Sequence, residues 1–138
     1  MTRSTIANRV GKAFDKDLEL YDLATAAISA TTNGTPRAID ATDIIEYDVV
    51  INPVAYTGYA AGTAQWAISV GAATTVGGTY NTVASIVLDG TATQRFIALS
   101  GAMISGITPQ AKFLRVTATK TGTPGNLQFG AFLGSCAG

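Results

Sequence analysis

The sequence contains no histidine, a single cysteine and few charged residues, which make up 13% of its 138 residues. Without histidine, the usual general base, the Ser-His-Asp and Cys-His arrangements and most zinc sites are excluded. Cys136 has no partner for an internal disulfide, and its glycine and alanine neighbours offer no charge to activate the thiol. We therefore predict that the chain is not an enzyme, has no catalytic residue and binds no cofactor.

Acidic residues are also sparse, and their densest group is Asp40, Asp43, Glu46 and Asp48. Glu46 and Asp48 fall on the same face of a predicted strand, where two carboxylates can share a calcium ion. The spacing matches no known calcium loop, however, and solvated or ion-paired carboxylates are the favoured interpretation. Asp89 is the only acid after residue 48, so no second carboxylate is available for a glycosidase pair. We expect no metal site.

No apolar run is long enough to span a membrane, and acids between residues 15 and 22 interrupt the pattern of a signal peptide. Residues 1–50 carry five bases and eight acids, a net charge of −3, whereas residues 51–138 carry four bases and one acid, a net charge of +3. Neither half is basic enough to indicate nucleic acid binding. We expect synthesis in a reducing cytoplasm and no nucleic acid, membrane or small-molecule partner.

Hydrophobic residues make up 47% of the chain, so few residues remain to coat a free surface. This composition favours a surface that is partly covered by other subunits. The alternative is a soluble surface rich in threonine, alanine and glycine, whose side chains are small and weakly polar.

Residues 1–20 differ from the rest of the chain. Ile6, Val10 and Phe14 recur every four residues with charges between them, which predicts a short amphipathic helix or an arm that becomes ordered against a partner. The alternative is a frayed, solvated terminus. We divide the chain into this arm, residues 1–20, and one β domain, residues 21–138.

The β domain is predicted from alternating apolar residues separated by glycine-rich turns. The predicted strands include "DIIEYDVVIN", "TAQWAISVGA", a strand–turn–strand unit in "TVASIVLDGTATQRFIALS", and a final hairpin in "AKFLRVTATKTGTPGNLQFGAFLG". Between the last two units, "GAMISGITPQ" is interpreted as irregular. About eight short antiparallel strands and no helix after the arm indicate an all-β protein, a jelly roll or another β-sandwich, or a small barrel.

Three aromatic residues lie in and beside the loop "AYTGYAAG". Trp66 alternates with Ile68 and Val70, which favours a place in the core over a sugar-stacking role. Tyr56 and Tyr59 lie in the loop itself and are interpreted as anchors of a protein interface.

The last predicted hairpin also resembles the C-terminal end of the capsid cement proteins of tailed phages, the Bordetella-phage-type decoration proteins. The resemblance is carried by Phe113–Val116, by Gly122 and Thr123 in the turn, and by Phe129–Gly134. It extends weakly over residues 18–134, through "LYDLATAAISATTNGTPRAID", "GTAQWAISVGAATT" and "FIALSGAMI".

The resemblance implies a jelly roll that sits as a dimer or trimer on the outside of an icosahedral phage head and bridges major capsid subunits. It implies location on the virion, after assembly in the host cytoplasm, and it brings no catalytic residue. With the residue patterns, it makes Ile6, Val10, Phe14, Tyr56 and Tyr59 the candidate contacts with capsid or sister subunits. The alternatives are a ligand-binding sandwich, such as a carbohydrate-recognition or host-attachment module, and a tail or fibre subunit.

Overall fold

The computed structural model describes residues 19–39 and 46–135, which form two antiparallel β-sheets packed face to face. Apart from the β5–β6 hairpin, neighbouring long strands of each sheet lie far apart in the sequence, because most connections cross between the sheets. The strands are β1 Glu19–Tyr21, β2 Thr32–Asn33, β3 Arg37–Ala38, β4 Glu46–Pro53, β5 Gln65–Ala73, β6 Asn81–Leu88, β7 Arg95–Ser100, β8 Phe113–Thr121 and β9 Phe129–Ser135. One helix, α1 Gly101–Ile107, follows β7 directly.

The strand order is that of a jelly roll. The first sheet has the order β1-β9-β4-β7 and the second β2-β8-β5-β6, with β3 also paired to β8. If β2 and β3 are taken as one interrupted strand, the first strand pairs with the last, the second with the last but one, and so inwards to the β5–β6 hairpin. A long hairpin with these nested pairs has been rolled up, and the β4–β9 and β5–β8 pairs close the roll. The predicted all-β sandwich is therefore confirmed.

The core lies between the two sheets and follows the alternation seen in the sequence. In the second sheet Trp66, Ile68 and Val70 are fully buried, as the pattern of "TAQWAISVGA" predicts. The predicted inward residues of the last two strands are buried as well: Leu114, Val116, Ala118, Leu127, Phe129, Ala131 and Leu133. Burying a large aliphatic side chain contributes about 1.5–3 kcal/mol, so this set holds the sheets together.

Two predicted hairpins are wrong. The segments "TVASIVL" and "QRFIALS" form β6 and β7, which lie in different sheets, and the same holds for β8 and β9. Gly90 and Gly122 do adopt the positive φ angles that tight turns need, 85° and 68°. A glycine turn of this kind serves equally well in a connection that crosses the sandwich, so local turn chemistry does not tell which sheet receives the next strand.

Helix α1 is a second correction, because "GAMISGITPQ" was interpreted as irregular. Ser100 caps the helix: its Oγ accepts a hydrogen bond from the backbone N–H of Met103 at 3.1 Å. Ile104 is fully buried and attaches the helix to the core. Gly101 and Gly106 lower helix propensity, which explains why the sequence pattern did not reveal it. The predicted arm, with Ile6, Val10 and Phe14, lies outside the described residues except for its last two positions.

Candidate interaction surface

The outer side of the second sheet carries short hydroxyl side chains. Ser69 of β5 lies opposite Thr117 of β8 on one side and Ser85 of β6 on the other. Thr119 points outward two residues further along β8, and it is exposed. We call this set, Ser69, Ser85, Thr117 and Thr119, the hydroxyl face. Such side chains suit a pleated surface that meets water.

The outer side of the first sheet is different. Across its strands, Val50 of β4 lies opposite Phe132 of β9 and Phe96 of β7. Val49 and Ile51 belong to the core, so alternation places Val50 on the outer side, yet it is only 1% exposed. Phe96 is 53% exposed. We call Val50, Phe96 and Phe132 the aromatic face.

The aromatic face has acidic residues at its margin. Glu19 of β1 pairs with Phe132, at one end of the row, and Asp48 lies two residues before Val50 on the same side of β4. Arg37 of β3 lies beside Glu19, since its Nε donates a hydrogen bond to the backbone carbonyl oxygen of Glu19 at 2.7 Å.

A shallow depression of about 290 Å³ continues the aromatic face towards β1. Its floor is Gly130, where a Cβ atom would lie 2.9 Å from the Cβ of Leu23. Glycine is required there because the loop after β1 folds across the sheet at this point. The depression is lined by Glu19, Tyr21, Leu23, Asn52, Gly130, Ala131 and Phe132.

Tyr56, predicted to be free in its loop, is buried with 8% exposure. Its hydroxyl donates a hydrogen bond to the carbonyl oxygen of Leu88 and accepts one from the backbone N–H of Trp66 at 3.1 Å. Burial raises the pKa of Tyr56 above its ordinary value, although the hydrogen bond from Trp66 acts in the opposite direction. Tyr56 therefore ties the β4–β5 loop to β5 and β6 of the second sheet, and its side chain is not free for the interface role predicted for it.

The other two aromatic residues in and beside this loop, Tyr59 and Trp66, differ in their exposure. Trp66 is fully buried, as predicted, and its indole Nε1 donates to the carbonyl oxygen of Gly125 at 2.8 Å. Tyr59 is 39% exposed and packs over Gly90, so it remains available for a contact. The three aromatic side chains thus do not form an exposed platform on which a sugar ring could stack.

Helix α1 presents a second apolar patch that the sequence patterns did not reveal. Met103 and Ile107 are 45% and 49% exposed, and the helix carries no charge. They line a depression of about 390 Å³ with Val83, Ala102 and Gly106. The available signal was the uncharged stretch "GAMISGI" itself.

The titratable groups do not assemble into a chemical site in the part of the chain that is described. Asp89 accepts hydrogen bonds from the hydroxyl and backbone N–H of Thr91, which hold the pKa of its carboxyl below the ordinary value. Within residues 19–39 and 46–135, no three His, Cys, Asp or Glu residues are grouped as metal ligands would be. Asp40, Asp43 and the side chain of Glu46, from the acidic patch of the sequence, lie outside the described set.

Arg115, one of the residues that carry the family resemblance, lies on the outer side of the second sheet. Its guanidinium group stacks 4.0 Å from the centre of the Tyr80 ring, a cation–π contact. Its Nε is buried and has no hydrogen-bond partner among the described residues. The position therefore contributes to packing at the hairpin between β5 and β6.

Among the described residues, the helix has seven residues, far fewer than a bilayer span needs.

No protein-family model matches the sequence, and no curated protein matches it. The resemblance to phage cement proteins therefore remains a prediction. The residues that carry it occupy structural positions: Phe113–Val116 in β8, Gly122 at a positive φ after it, and Phe129–Gly134 in β9.

Proposed function

We propose that the protein is a structural component of a phage virion, a cement protein that binds the outside of an icosahedral head and bridges neighbouring major capsid subunits. The observation that carries this proposal is the contrast between the two outer sides of the sandwich. The first sheet exposes Phe96 and places Val50 and Phe132 beside it, whereas the second sheet presents serine and threonine. A protein with one apolar and one hydroxyl-rich outer side is suited to lie between a partner and water.

In this role the side of the molecule that bears the aromatic face is turned towards the shell or a sister subunit, and the hydroxyl face is turned towards solvent. Tyr59 and the α1 patch with Met103 and Ile107 supply further apolar contacts at the two ends of the sandwich. Aromatic residues and methionine are enriched in protein interfaces, and charged residues are depleted from their centres. Only 13% of this chain is charged, which agrees with such a surface.

The stabilising effect would be additive. A stable interface buries about 1,600 Å² in total, and each cement copy would contact more than one shell subunit. Links of this kind convert later contacts into intramolecular ones, so modest individual affinities hold the protein on the shell. This mechanism needs no reaction and no bound ion.

A carbohydrate-binding sandwich is the main rival, since jelly rolls also occur in lectins. That role relied on aromatic side chains in and beside the β4–β5 loop. Trp66 and Tyr56 are buried, and both are engaged in hydrogen bonds within the fold. No observation in the described residues favours the rival over the virion role.

Antibody labelling of purified particles, made from a phage genome that carries this gene, tests the proposal. Electron microscopy should show label on the outside of the heads. Label on tails or fibres would move the protein to the other structural role, and unlabelled particles would overturn the proposal. As a second readout, deleting residues 1–16 should lower the occupancy of the protein on expanded shells if the arm takes part in the contact.

A further inference from the structure

Asn33 and Gly34 form an Asn-Gly pair at the end of β2. Asparagine deamidates most readily in this sequence, because glycine has no side chain to hinder the approach of its backbone nitrogen. Strand β2 ends the order β2-β8-β5-β6 of the second sheet, and Asn33 is exposed to water. A two-residue strand at the edge of a sheet is among the parts of a fold that open most easily.

Deamidation of this pair needs no reagent other than water. The backbone nitrogen of Gly34 attacks the side-chain Cγ of Asn33, and the new N–C bond closes a five-membered succinimide ring. The side-chain nitrogen of Asn33 leaves as ammonia and takes the proton of the Gly34 N–H. Water then opens the ring at either carbonyl, which gives an aspartyl or an isoaspartyl product. In the isoaspartyl product the main chain runs through the former side chain, so the backbone gains a methylene group.

Hydrogen bonds to β8 hold both reacting groups in the closed fold. The backbone N–H of Gly34 donates to the carbonyl oxygen of Val116 at 2.8 Å, so the nitrogen that would attack is engaged. The side-chain Oδ1 of Asn33 accepts a hydrogen bond from Oγ1 of Thr117 at 2.8 Å, which fixes the orientation of the amide that would be attacked. Ring closure therefore requires β2 to separate from β8.

Gly34 also fits its position closely. A Cβ atom there would collide with the carbonyl oxygen of Leu20 and would lie 2.9 Å from a methyl group of Val116. The same carbonyl oxygen of Leu20 accepts a hydrogen bond from the N–H of Thr35 at 2.9 Å. A backbone that is longer by a methylene group just before Gly34 does not fit these contacts and the pairing with β8 at the same time.

We propose that Asn33 is a covalent modification site, protected in the closed fold by pairing with β8 and by the hydrogen bond from Thr117. Deamidation proceeds through opening of β2, and the isoaspartyl product prevents the strand from pairing again. The rate in the native protein then follows the population of the open form, as for other reactions that need local opening. The inference concerns the chain itself and does not rest on the proposed virion role.

Incubation of the full-length protein in mildly alkaline buffer, with and without denaturing guanidinium chloride, tests the proposal. Peptide mass spectrometry measures the loss of intact Asn33, and Asn126, which precedes the bulky Leu127, is the internal reference for slow deamidation. We expect Asn33 to react at least about tenfold more slowly in the native protein than in the denatured chain. Equal rates in the two conditions, or no reaction of Asn33 in the denatured chain, would overturn the proposal.

A pair of variants isolates the contact with β8. Thr117→Val removes the hydroxyl that holds Asn33 and keeps a β-branched side chain in the strand. Thr119→Val makes the same change at the next outward position of β8 and leaves the Thr117–Asn33 hydrogen bond in place, so it is the matched control. We expect Thr117→Val to speed native deamidation about fivefold without changing the denatured rate, and Thr119→Val to change neither. Equal native rates in the two variants would contradict the protection by Thr117.

Hydrogen exchange of the separated products tests the effect on β2. In the isoaspartyl product the amide of Gly34 should exchange rapidly, whereas the amide of Ile68 in the central strand β5 should stay protected. Asn33→Asp is the control, because its carboxylate has the same backbone length and still accepts the hydrogen bond from Thr117. It should keep the Gly34 amide protected. Equal protection of this amide in the isoaspartyl product and in Asn33→Asp would show that β2 pairs again, against the proposal.

Discussion

The two sheets of this jelly roll share one core but differ on their outer sides. Towards the core, both follow the same rule: Val49 and Ile51 in one sheet and Ile68 and Val70 in the other are fully buried. Towards the outside, the first sheet presents the aromatic face and the second the hydroxyl face. The fold requires the inner pattern but places no such demand on the outer one. The difference therefore indicates what each outer side contacts, and we assign a partner subunit to the first sheet and water to the second.

Placing a carboxylate at the centre of each outer face should show the largest difference. Val50→Asp introduces a charge where the side chain is 1% exposed, and we expect it to cost about 3 kcal/mol or more of the free energy of unfolding. Ser69→Asp, the matched change in the central part of the second sheet, should cost about 1 kcal/mol or less. Urea unfolding of both variants measures this. Equal losses would show that the two faces do not differ in their surroundings.

A variant that belongs to neither outer face serves as a reference for the face variants. Tyr56→Phe removes the hydroxyl that links Leu88 and Trp66 and leaves both backbone groups without their partner. We expect the free energy of unfolding to fall by about 2 kcal/mol. The substitution alters no residue of either outer face. Tyr59→Phe, at a tyrosine that is 39% exposed, should change stability very little. A neutral Tyr56→Phe would contradict the role given to this buried hydroxyl.

The pH dependence gives a second readout of Tyr56. Burial raises its pKa above the ordinary value of 10.0, so the folded state keeps the proton to higher pH than the unfolded state does. Its contribution to stability is complete below pH 10.0 and is lost as the pH rises through the folded-state pKa. Burial raises the pKa of Tyr21 as well, so Tyr56→Phe should reduce the alkaline loss of stability without abolishing it. Unfolding curves measured across that pH range test this prediction. If the slope of stability against pH is the same in Tyr56→Phe as in the original protein, the account is contradicted.

Exposed apolar side chains on the two sheets give a finer comparison. Phe96→Ser should cost about 1 kcal/mol if a sister subunit packs on the aromatic face in solution, because apolar area is then lost from a covered site. Val87→Ser changes a residue of the second sheet that is 39% exposed, and its effect should stay within about 0.5 kcal/mol. Thermal unfolding of the full-length variants checks the pair. Indistinguishable effects would mean that Phe96 meets water in solution.

The smallest effect is expected beside the hydroxyl face, at Arg115. Arg115→Leu removes the cation–π contact with Tyr80 but also removes a buried Nε that has no described partner. These changes oppose each other, and we expect a net loss of about 0.5 kcal/mol. A double-mutant cycle with Tyr80→Leu isolates the pair. A coupling energy near zero would show that the stacking contributes nothing.

Much of the fold could be predicted because buried and exposed side chains alternate along each strand, and this alternation is visible in the sequence. Alternation identified the inward residues, including Trp66, Leu127, Phe129, Ala131 and Leu133, without reference to topology. The hairpins were wrong because the choice between pairing within a sheet and crossing to the other depends on distant strands. Tyr56 was misjudged for the same reason: its hydrogen-bond partner Leu88 lies 32 residues away.

The contrast between the outer sides also has a signal in the sequence, visible once the strands are assigned to sheets. In the first sheet the strands contain continuous apolar runs, "VVI", "FIAL" and "AFL", which is typical of strands covered on both sides. In the second sheet "VTATKT" and "WAIS" alternate with hydroxyl or small residues, and only β6 contains a continuous apolar run, "IVL", whose Val87 is 39% exposed. Sheet membership was needed to interpret these runs, and no local pattern supplies it.

Cryo-electron microscopy of heads from a phage that encodes this chain tests the central claim most directly. The account predicts a jelly roll on the outer surface of the shell, with the side that bears Phe96 and Phe132 turned towards shell or sister subunits and Ser69 and Thr117 turned towards solvent. A head without this protein, or one on which the hydroxyl face lies against the shell, would contradict it.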